Sequence, residues 1–439
     1  MAQSASIGQD AGGLQCYTFD VVVIGAGIIG LSTARQFLLQ SDLSVAVVDA
    51  SVPLRSGATG AGQGYIWMTH RTPDTPIWDL AMRSRQLWQM LIDNLQAEGI
   101  DPLDALGWKR SGSLLIGRTK EESCLLKERV QKLHAAGLRA EYLSSNDLLV
   151  EEPELEVSPE TCAAFLPDDG QIDVHNTVSF LEKGNKLFTS QSRYKDFYDD
   201  PAVCLLRSSI DRKVEAVQTN TSIVYAKRAI VVAAGCWSGS LVSKFATELG
   251  SLVNVPVQPR KGFLLTLEKC NSFKLNHGVM EAGYTNYYHK TSTETNLPGS
   301  SEAHLDRSLS ISMTATLDAA GNLLVGSSRQ FVGFNTDVDK HIIDQIWERN
   351  REFFPALRKF SIQDLTQNSK VKVGLRPYMP DGKPVIGPIP SMPNVFLATG
   401  HEGAGLTLAL GTAEMIADMV LGNPLKVDPK PFSVQGRCC

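Results

Sequence analysis

Cysteine pairs with the spacing of a metal site or a redox site are missing from this chain. Its eight cysteines are scattered, and none takes the CxxC spacing of a zinc site or a dithiol redox site. The sequence therefore predicts no metal centre. Scattered cysteines are also typical of a reducing, intracellular compartment, because disulfides persist mainly in oxidising ones.

Blocks of one charge sign are absent as well. The 42 lysines and arginines are outweighed by 47 aspartates and glutamates, which gives a net charge of -5, and no basic cluster stands out. A surface that follows a phosphate backbone needs concentrated positive charge. Nucleic acid is therefore not an expected partner.

Long apolar runs are absent too. No run approaches the ~20 residues that a membrane-spanning helix needs. The segment before the first predicted strand has no arginine and no apolar stretch of the signal-peptide kind. We therefore expect a soluble, intracellular protein with no integral membrane segment, and both cytoplasm and plastid stay open. Residues 1–17 and 427–439 are expected to be disordered tails.

The chain does have length and apolar content. It has 439 residues, of which 43% are hydrophobic. Because single hydrophobic cores stop growing at about 250–300 residues, two domains are expected.

An apolar strand, a glycine turn, a helix and a second apolar strand follow one another from Phe19 onward. Gly25, Gly27 and Gly30 form GxGxxG directly after the first strand. Gly25 permits the tight turn, Gly27 lets the backbone approach a pyrophosphate, and Gly30 lets the helix pack closely on the strand. The pattern predicts a dinucleotide-binding turn made of Gly25, Ala26, Gly27, Ile28, Ile29 and Gly30.

An acidic residue, Asp49, closes the second strand. A carboxylate about 20 residues after the glycine turn accepts hydrogen bonds from both ribose hydroxyls of an adenosine. It also repels a 2′-phosphate, which argues against NADP. FAD and NAD both remain open at this point.

A glycine-rich loop, RSGATGAGQGYIW (Arg55 to Trp67), follows the second strand. Its lack of a regular period fits either a flexible connection or backbone that lies against an extended cofactor. In the second interpretation, the contacts come from Thr59, Gly60 and Gly64.

Two later apolar strands also run into glycine, in Arg228 to Gly239 and in Asn394 to Gly422. A helix is predicted to start near Ala404, just after the second of these strands. Amides of a helix N-terminus stabilise negative charge, such as the charge that a reduced flavin develops. The expected cofactor contacts are Gly235, Trp237, Gly400, Gly403 and Gly405.

Taken in order, GAGIIG, GATGAGQG, VVAAGCWSG, GLRPYMPDGKPVIGP and ATGHEGAG resemble the amino-acid oxidase family of FAD-dependent oxidoreductases. That family includes glycine oxidase, monomeric sarcosine oxidase and D-amino-acid oxidase or dehydrogenase, and the resemblance covers about residues 18–425. The glycine loop most resembles uncharacterised plant and bacterial members. The resemblance implies FAD, a small anionic amine substrate, and oxygen or another electron acceptor. It also implies hydride transfer from a CH-NH bond to the flavin, giving an imine that hydrolyses.

The resemblance implies an α/β fold in which a Rossmann-like FAD-binding domain is interleaved with an α+β substrate domain of largely antiparallel sheet. The FAD-binding domain is expected to comprise residues 18–105, 160–254 and 370–426, and the substrate domain residues 106–159 and 255–369. Alternating apolar and polar residues independently predict strands in 112–119, 258–268 and 308–330, with a hairpin return at Leu323 to Gly326. The polar stretch Thr189 to Asp200 departs from the family, so the adenine contacts of the atypical region 189–212 are not assigned.

Arg376 is the candidate substrate-binding residue. It stands in a GLRP motif, and the matching arginine of glycine oxidase and D-amino-acid oxidase binds the substrate carboxylate. A guanidinium can hold a carboxylate through two parallel hydrogen bonds. The alternative is an interdomain salt bridge.

The loop after Gly400 departs from glycine oxidase, which carries an arginine there. This chain has His401, Glu402 and Gly403 instead. In one interpretation, Glu402 attracts the ammonium or a second positive group of the substrate, which implies a substrate larger than glycine. In the other, Glu402 is a solvent-facing acid. His401 is either a base or a histidine packed at the strand end.

The FAD is expected to be noncovalent. Gly374 stands near the position of the cysteine that binds flavin in monomeric sarcosine oxidases, and leucine or valine replaces their oxygen-assisting lysine. Fast reaction with oxygen is therefore not implied, and oxidase and dehydrogenase both stay open. Further candidates for the cavity wall, equally explained by structural packing, are Arg329, Tyr284, Tyr287 and Tyr288.

The alternative function is a catalytically silent flavoprotein of the same fold that acts as an assembly or scaffold factor. Retention of Arg376 favours an enzyme, because a scaffold needs no cation in a substrate cavity.

Overall fold

Two large β-sheets organise the chain. The computed structural model describes residues 8–9, 13–208, 213–268, 273–284, 309–359 and 369–438. Its strands are β1 (Gly8–Gln9), β2 (Gln15–Ile24), β3 (Val45–Val48), β4 (Tyr65–Ile66), β5 (Ser113–Gly117), β6 (Glu141–Leu143), β7 (Cys162–Leu166), β8 (Gly170–Gln171), β9 (Tyr194–Phe197), β10 (Ala202–Arg207), β11 (Val214–Thr219), β12 (Ser222–Val232), β13 (Gln258–Leu267), β14 (Gly278–Glu281), β15 (Ser310–Leu317), β16 (Leu323–Arg329), β17 (Ser369–Tyr378), β18 (Val385–Ile389) and β19 (Met392–Thr399). Its α-helices are α1 (Ile28–Gln40), α2 (Pro76–Ala97), α3 (Pro102–Leu106), α4 (Lys120–Ala135), α5 (Ser145–Glu151), α6 (Val174–Lys186), α7 (Ser238–Glu248), α8 (Lys340–Phe353) and α9 (Gly405–Leu421).

The first sheet has parallel strands in the order β9, β3, β2, β12 and β19. Antiparallel strands extend it: β18 pairs with β19, and β11 pairs with β12. Its central strands are continuous apolar runs because both faces are covered. Helices α1 and α9 pack on one face and α7 on the other. This is the Rossmann-like arrangement that the glycine motif predicts.

The second sheet has the order β17, β13, β16, β15, β14, β5, β7 and β6, and every neighbouring pair except β14 with β5 is antiparallel. Helix α8 covers one face through an apolar stripe that includes Ile346 and Trp347. The predicted hairpin return is confirmed, since β15 and β16 pair directly. This sheet corresponds to the predicted α+β substrate domain.

Strand pairing crosses two of the predicted domain boundaries. Strand β7, which was expected in the FAD-binding domain, pairs with β5 of the second sheet. Strand β17 was expected there too, yet it pairs with β13 along ten residues. Long-range pairing decides both assignments. The second sheet therefore includes β7, which ends at Leu166, and β17, which ends at Tyr378.

The carboxyl-terminal segment is folded, contrary to the expected disordered tail of residues 427–439. Phe432 is fully buried and Val434 almost fully. Arg437 donates two hydrogen bonds to the carboxylate of Asp381, each 2.8 Å long. These contacts hold residues up to 438 against the first sheet. At the other end, β1 and the start of β2 contradict disorder for residues 8–9 and 15–17, whereas residues 1–7 and 10–12 lie outside the described part.

The polar stretch Thr189 to Asp200 contains β9. Its backbone pairs with β3 in parallel, from Tyr194 opposite Val45 to Phe197 opposite Val48. The composition of this stretch is unusually polar, but it still forms a strand at the edge of the sheet. Residues 209–212 of the atypical region lie outside the described part.

One helical stretch, Glu402 to Leu421, is long and apolar enough to cross a membrane by length and composition alone. Two thirds of its most apolar window is buried within the protein. Helix α9, which forms most of this stretch, packs between α1, α2 and the first sheet. Such burial is typical of a core helix.

We expect Phe432→Ala to lower the free energy of unfolding by about 3–5 kcal/mol, because it leaves a cavity under the carboxyl-terminal segment. Urea unfolding followed by circular dichroism measures the loss. Leu187→Ala is the control, since Leu187 is 74% exposed. A Phe432→Ala loss no larger than that of the control would show that the segment adds no packing energy.

Candidate active site

A cavity of about 600 Å³ lies between the two sheets. On one side it is lined by residues at or just after the carboxyl ends of β2, β3, β12 and β19. On the other side it is lined by β13 and β17. Ligands of open α/β sheets bind at this end of the strands, so the cavity is the natural candidate for the site.

The glycine turn forms one wall of the cavity. Gly25 has a φ of +118°, and a Cβ atom there would collide with the carbonyl oxygen of Ala233. A Cβ atom on Gly30 would collide with the carbonyl oxygen of Gly25. Gly27 differs, because its Cβ position would lie 3.4 Å from Thr59 Oγ1 and the residue itself lines the cavity. Gly25 and Gly30 therefore serve packing, and Gly27 leaves room on the ligand side.

Asp49 lies at the end of β3 and lines the cavity. Its carboxylate accepts hydrogen bonds from the amides of Ala26, at 2.6 Å, and Ser51, at 2.8 Å. Burial raises the pKa of this carboxyl, and the two amide hydrogen bonds partly offset the rise. The side chain thus fastens the glycine turn to the end of the second strand.

The glycine-rich loop after β3 is part of the cavity wall. The hydroxyl of Thr59 accepts a 3.2 Å hydrogen bond from the amide of Ile28, at the start of α1. Cβ atoms on Gly60 and Gly64 would collide with the carbonyl oxygens of Leu54 and Ile172. The loop is therefore closely packed, which argues against a flexible connection.

The glycines after β12 and β19 have different roles. Gly235 has a φ of +54°, and its Cβ position has no atom within 4 Å, so its backbone is open to the cavity. Gly400 has a φ of +80° and packs on Met379 instead. Helix α9 starts at Gly405, next to the predicted position.

Most of the predicted residues lie on the cavity wall. They are Gly25, Gly27, Ile28, Ile29, Asp49, Thr59, Gly64, Gly235, Trp237, Arg376, His401, Glu402, Gly403 and Gly405. Four others support the wall from behind: Ala26, Gly30, Gly60 and Gly400. Within the described ranges, no group of three or more His, Cys, Asp or Glu side chains is placed to hold a metal ion.

Arg376 enters the cavity from β17 and is half-buried. Its Nη1 donates a 2.9 Å hydrogen bond to the carbonyl oxygen of Ser328. That partner is a backbone group of the same sheet, so the contact is not the interdomain salt bridge of the alternative interpretation. The guanidinium is therefore held in place without a carboxylate at this contact.

Glu402 is buried in the cavity wall. Its carboxylate lies 3.6 Å from Nη1 of Arg260, and its side chain is 9% exposed. Burial alone would raise the pKa of this carboxyl, but Arg260, Arg376 and Arg329 outweigh it and lower the pKa to about 2. Glu402 also has a φ of +47°, a strained value for a residue with a side chain. It is thus an ionised group inside the site, not a solvent-facing acid.

His401 is packed against α9. It is 4% exposed, and its Nε2 lies 2.9 Å from the hydroxyl of Thr412. Burial lowers its pKa to about 3. The geometry matches the packed histidine of the two sequence interpretations, and the imidazole is neutral at physiological pH.

Tyr284 and Arg329 meet beside the cavity. The guanidinium carbon of Arg329 lies 3.7 Å from the ring centroid of Tyr284, which lines the cavity. Burial opposes ionisation of Tyr284, but Arg329 and Arg376 bring its pKa below the ordinary value. This part of the wall therefore has a positive potential. The other two predicted tyrosines, Tyr287 and Tyr288, lie outside the described residues.

Sequence reasoning missed several wall residues. Gln63 donates a 3.1 Å hydrogen bond to the carbonyl oxygen of Leu324 and accepts one of 2.9 Å from Thr314, which ties the glycine-rich loop to the second sheet. Gly262 lines the cavity from the middle of β13. A glycine inside an apolar strand signals close approach by another group, so Gly262 had a readable signal. Gln63 had none.

Because His401 is buried, the free energy of unfolding should depend on pH. The unfolded state takes up the histidine proton near pH 6.5, whereas the folded state does so only near pH 3. The unfolded state thus binds more protons between these values, and stability falls as the pH falls. From pH 7 to pH 5 this histidine should cost about 2 kcal/mol of unfolding free energy.

His401→Gln should remove that part of the loss, since glutamine keeps a polar group for Thr412 and does not titrate. Urea unfolding at pH 7 and pH 5 measures the difference between the two proteins. The exposed His134 provides the control substitution His134→Gln, which changes no buried group. Parallel pH curves for wild type and His401→Gln would contradict the burial argument.

Comparisons with known proteins identify the family. The family model described as FAD dependent oxidoreductase (DAO) matches residues 20–419. A glycine oxidase of Pseudomonas aeruginosa is 27% identical over 436 residues, which cover 95% of this chain and 99% of the relative.

Solved structures share the fold. The glycine oxidase of Bacillus cereus superposes with a TM-score of 0.72 at 21% identity, covering 92% of this chain and 95% of that one. The iminodiacetate oxidase of Chelativorans sp. BNC1 gives 0.72 at 20% identity, covering 94% and 98%. Since the family model spans nearly the whole length, the chain belongs to the DAO family of FAD-dependent oxidoreductases.

Proposed function

We propose that the protein oxidises the CH-NH bond of a small amino acid or secondary amine of the glycine, sarcosine or D-amino-acid kind. When bound, FAD accepts the hydride from the carbon that bears the nitrogen, and the resulting imine hydrolyses. The observation that carries the proposal is the guanidinium of Arg376 in a cavity whose opposite wall is the glycine turn of Gly25 to Gly30.

The cavity residues suit FAD. The turn of Gly25 to Gly30 would hold the pyrophosphate at the start of α1, with Asp49 at the ribose. The start of α9, near Gly405, would face negative charge on the reduced ring. Gly374 lines the cavity without a side chain to bond to the ring, which supports noncovalent binding.

Arg376 would grip the substrate carboxylate. A guanidinium offers a planar fork that binds a carboxylate through two hydrogen bonds and fixes its plane. The contact with Ser328 fixes the guanidinium before the substrate arrives. The main contribution of the protein to such a reaction is alignment of the C-H bond.

The proposed roles of the neighbouring loop residues differ from each other. With a pKa of about 2, Glu402 is a weak base but a permanent negative charge, so it would attract the ammonium or a second positive group of the substrate. That role favours a substrate larger than glycine. His401, whose pKa is lowered to about 3, would not act as a base at physiological pH.

Oxygen or another electron acceptor would reoxidise the flavin, in an intracellular, soluble setting. The relatives named above are enzymes, and the described residues give no observation that favours the scaffold alternative.

A substitution at Gly27 should affect cofactor binding but not folding. We expect Gly27→Ala to leave urea unfolding of the apoprotein nearly unchanged, because its Cβ position is at an ordinary contact distance. FAD binding should weaken by about tenfold or more, since the methyl group would lie where the pyrophosphate approaches. Absorbance titration of the apoprotein with FAD measures this. Gly30→Ala is the contrasting variant, which should destabilise the apoprotein itself. Unchanged FAD affinity in Gly27→Ala would refute the proposed position of the pyrophosphate.

Arg376→Ala should raise KM for the true substrate strongly, with roughly 2–5 kcal/mol of binding energy at stake. Arg376→Lys should be intermediate, because lysine keeps the charge but loses the fork. Arg139→Ala is the surface control, since Arg139 is exposed.

The substrate is found by adding glycine, sarcosine, D-amino acids and iminodiacetate to the holoenzyme without oxygen and following the visible flavin band. Bleaching by a carboxylate-bearing amine supports the proposal, and the rate of recovery on admitting oxygen separates oxidase from dehydrogenase. A panel that never bleaches the flavin, or an unchanged KM in Arg376→Ala, would overturn it.

A further inference from the structure

A glycine in the middle of β13 lies against the guanidinium of Arg376. In the antiparallel register of β13 and β17, Gly262 is opposite Gly374, and Arg260 is opposite Arg376. Gly262 is not among the residues with positive φ, so its backbone conformation does not require glycine. A glycine inside a strand is less favourable than an alanine, because it loses more conformational freedom on folding. The presence of glycine at this position is explained if a neighbouring group needs the space that a side chain would occupy.

The space is occupied by Arg376. A Cβ atom on Gly262 would lie 2.6 Å from Nη1, 2.6 Å from Nη2 and 2.7 Å from the guanidinium carbon. These distances are well below the ~3.5 Å at which non-bonded heavy atoms make favourable contact. All three nearest atoms belong to the end of one long side chain, and none belongs to the backbone. An alanine at this position would therefore move the guanidinium and leave the strand in place.

The position of that missing atom matters for binding. The three distances are nearly equal, so the atom would lie over the face of the planar guanidinium, toward its Nη1–Nη2 side, and not in the plane of the group. A carboxylate that binds both terminal nitrogens approaches in that plane, so a methyl group on the face of the guanidinium would disturb binding by tilting or shifting the fork. Nη1 is also the atom that donates to Ser328, so a shift of the guanidinium would strain that hydrogen bond.

We infer that Gly262 is a positioning residue for substrate binding: its lack of a side chain sets where the Arg376 guanidinium lies and in which direction its fork points. This inference rests on the proposed function of Arg376. Gly262 itself acts through Arg376, and it lines the same cavity.

The first test is Gly262→Ala in the holoenzyme. The variant should hold FAD and keep its circular dichroism spectrum, because the displaced atoms are the end of a flexible side chain. A shift of the order of 1 Å in a positioning group should lower kcat/KM by about 100-fold. Binding is measured separately with methoxyacetate, the oxygen analogue of sarcosine, through the change it causes in flavin absorbance. We expect its Kd to rise in Gly262→Ala. Gly117→Ala, in another strand of the same sheet, is the control that should leave this Kd unchanged.

A double-mutant cycle separates positioning from a general structural effect. If Gly262 acts through Arg376, adding Gly262→Ala to Arg376→Ala should cost nothing further, since no guanidinium remains to be displaced. If the two losses of kcat/KM simply add, the inference is wrong. If Gly262→Ala alone cannot hold FAD, the double variant must recover FAD binding for the inference to stand.

The outcomes distinguish the two proposals. Wild-type Kd and kcat/KM in Gly262→Ala, together with a strong loss in Arg376→Ala, would overturn only the role of Gly262. A wild-type flavin that responds to no carboxylate, or an Arg376→Ala variant that behaves like wild type, would overturn the proposed function and this inference with it.

Discussion

The close approach of two backbone segments at the glycine turn is the constraint on which the cavity depends. Gly30 lets α1 pack against the carbonyl of Gly25, and Gly25 in turn packs against the carbonyl of Ala233, after β12. One turn thereby fixes the start of a helix and the ends of two neighbouring strands. Any side chain at either glycine would push these elements apart. The open side of the same turn, at Gly27, faces the cavity.

On the opposite wall, a glycine again makes room for a close neighbour, but that neighbour is a charged side chain and not a backbone segment. Gly262 leaves the space in which the guanidinium of Arg376 lies, and the carbonyl oxygen of Ser328 holds it there. A neutral acceptor orients the cation without cancelling its charge, so the charge stays available for a ligand. The buried carboxylate of Glu402 is stabilised differently, because Arg260 lies beside it and a buried carboxylate without a cation is costly. The wall thus keeps both signs of charge fixed in place.

Local patterns predicted the first sheet well, because the motif from Gly25 to Gly30 and the acid at Asp49 depend on neighbours in the sequence. Pairing between distant segments was not predictable in the same way. Strand β17 carries the GLRP motif next to an FAD-domain segment, yet its partner is β13 of the other sheet. The polar composition around β9 concealed a strand, and Phe432 was taken for a residue of a disordered tail although it fills a site in the core. The side chain of Gln63 gave no signal, because its two partners are residues of β15 and β16.

The glycine-rich loop after β3 connects the two walls and therefore sets the distance between them. Thr59 accepts a hydrogen bond from the amide of Ile28 at the start of α1. Gln63, four residues later, forms hydrogen bonds with Leu324 and Thr314 of the second sheet. A cofactor held at the glycine turn and a carboxylate held at Arg376 are useful to each other only at a fixed separation, since hydride transfer needs the reacting atoms about 3–3.5 Å apart. A loop anchored at both ends supplies that separation. Its many glycines are then explained by close packing at Gly60 and Gly64, not by a need for flexibility.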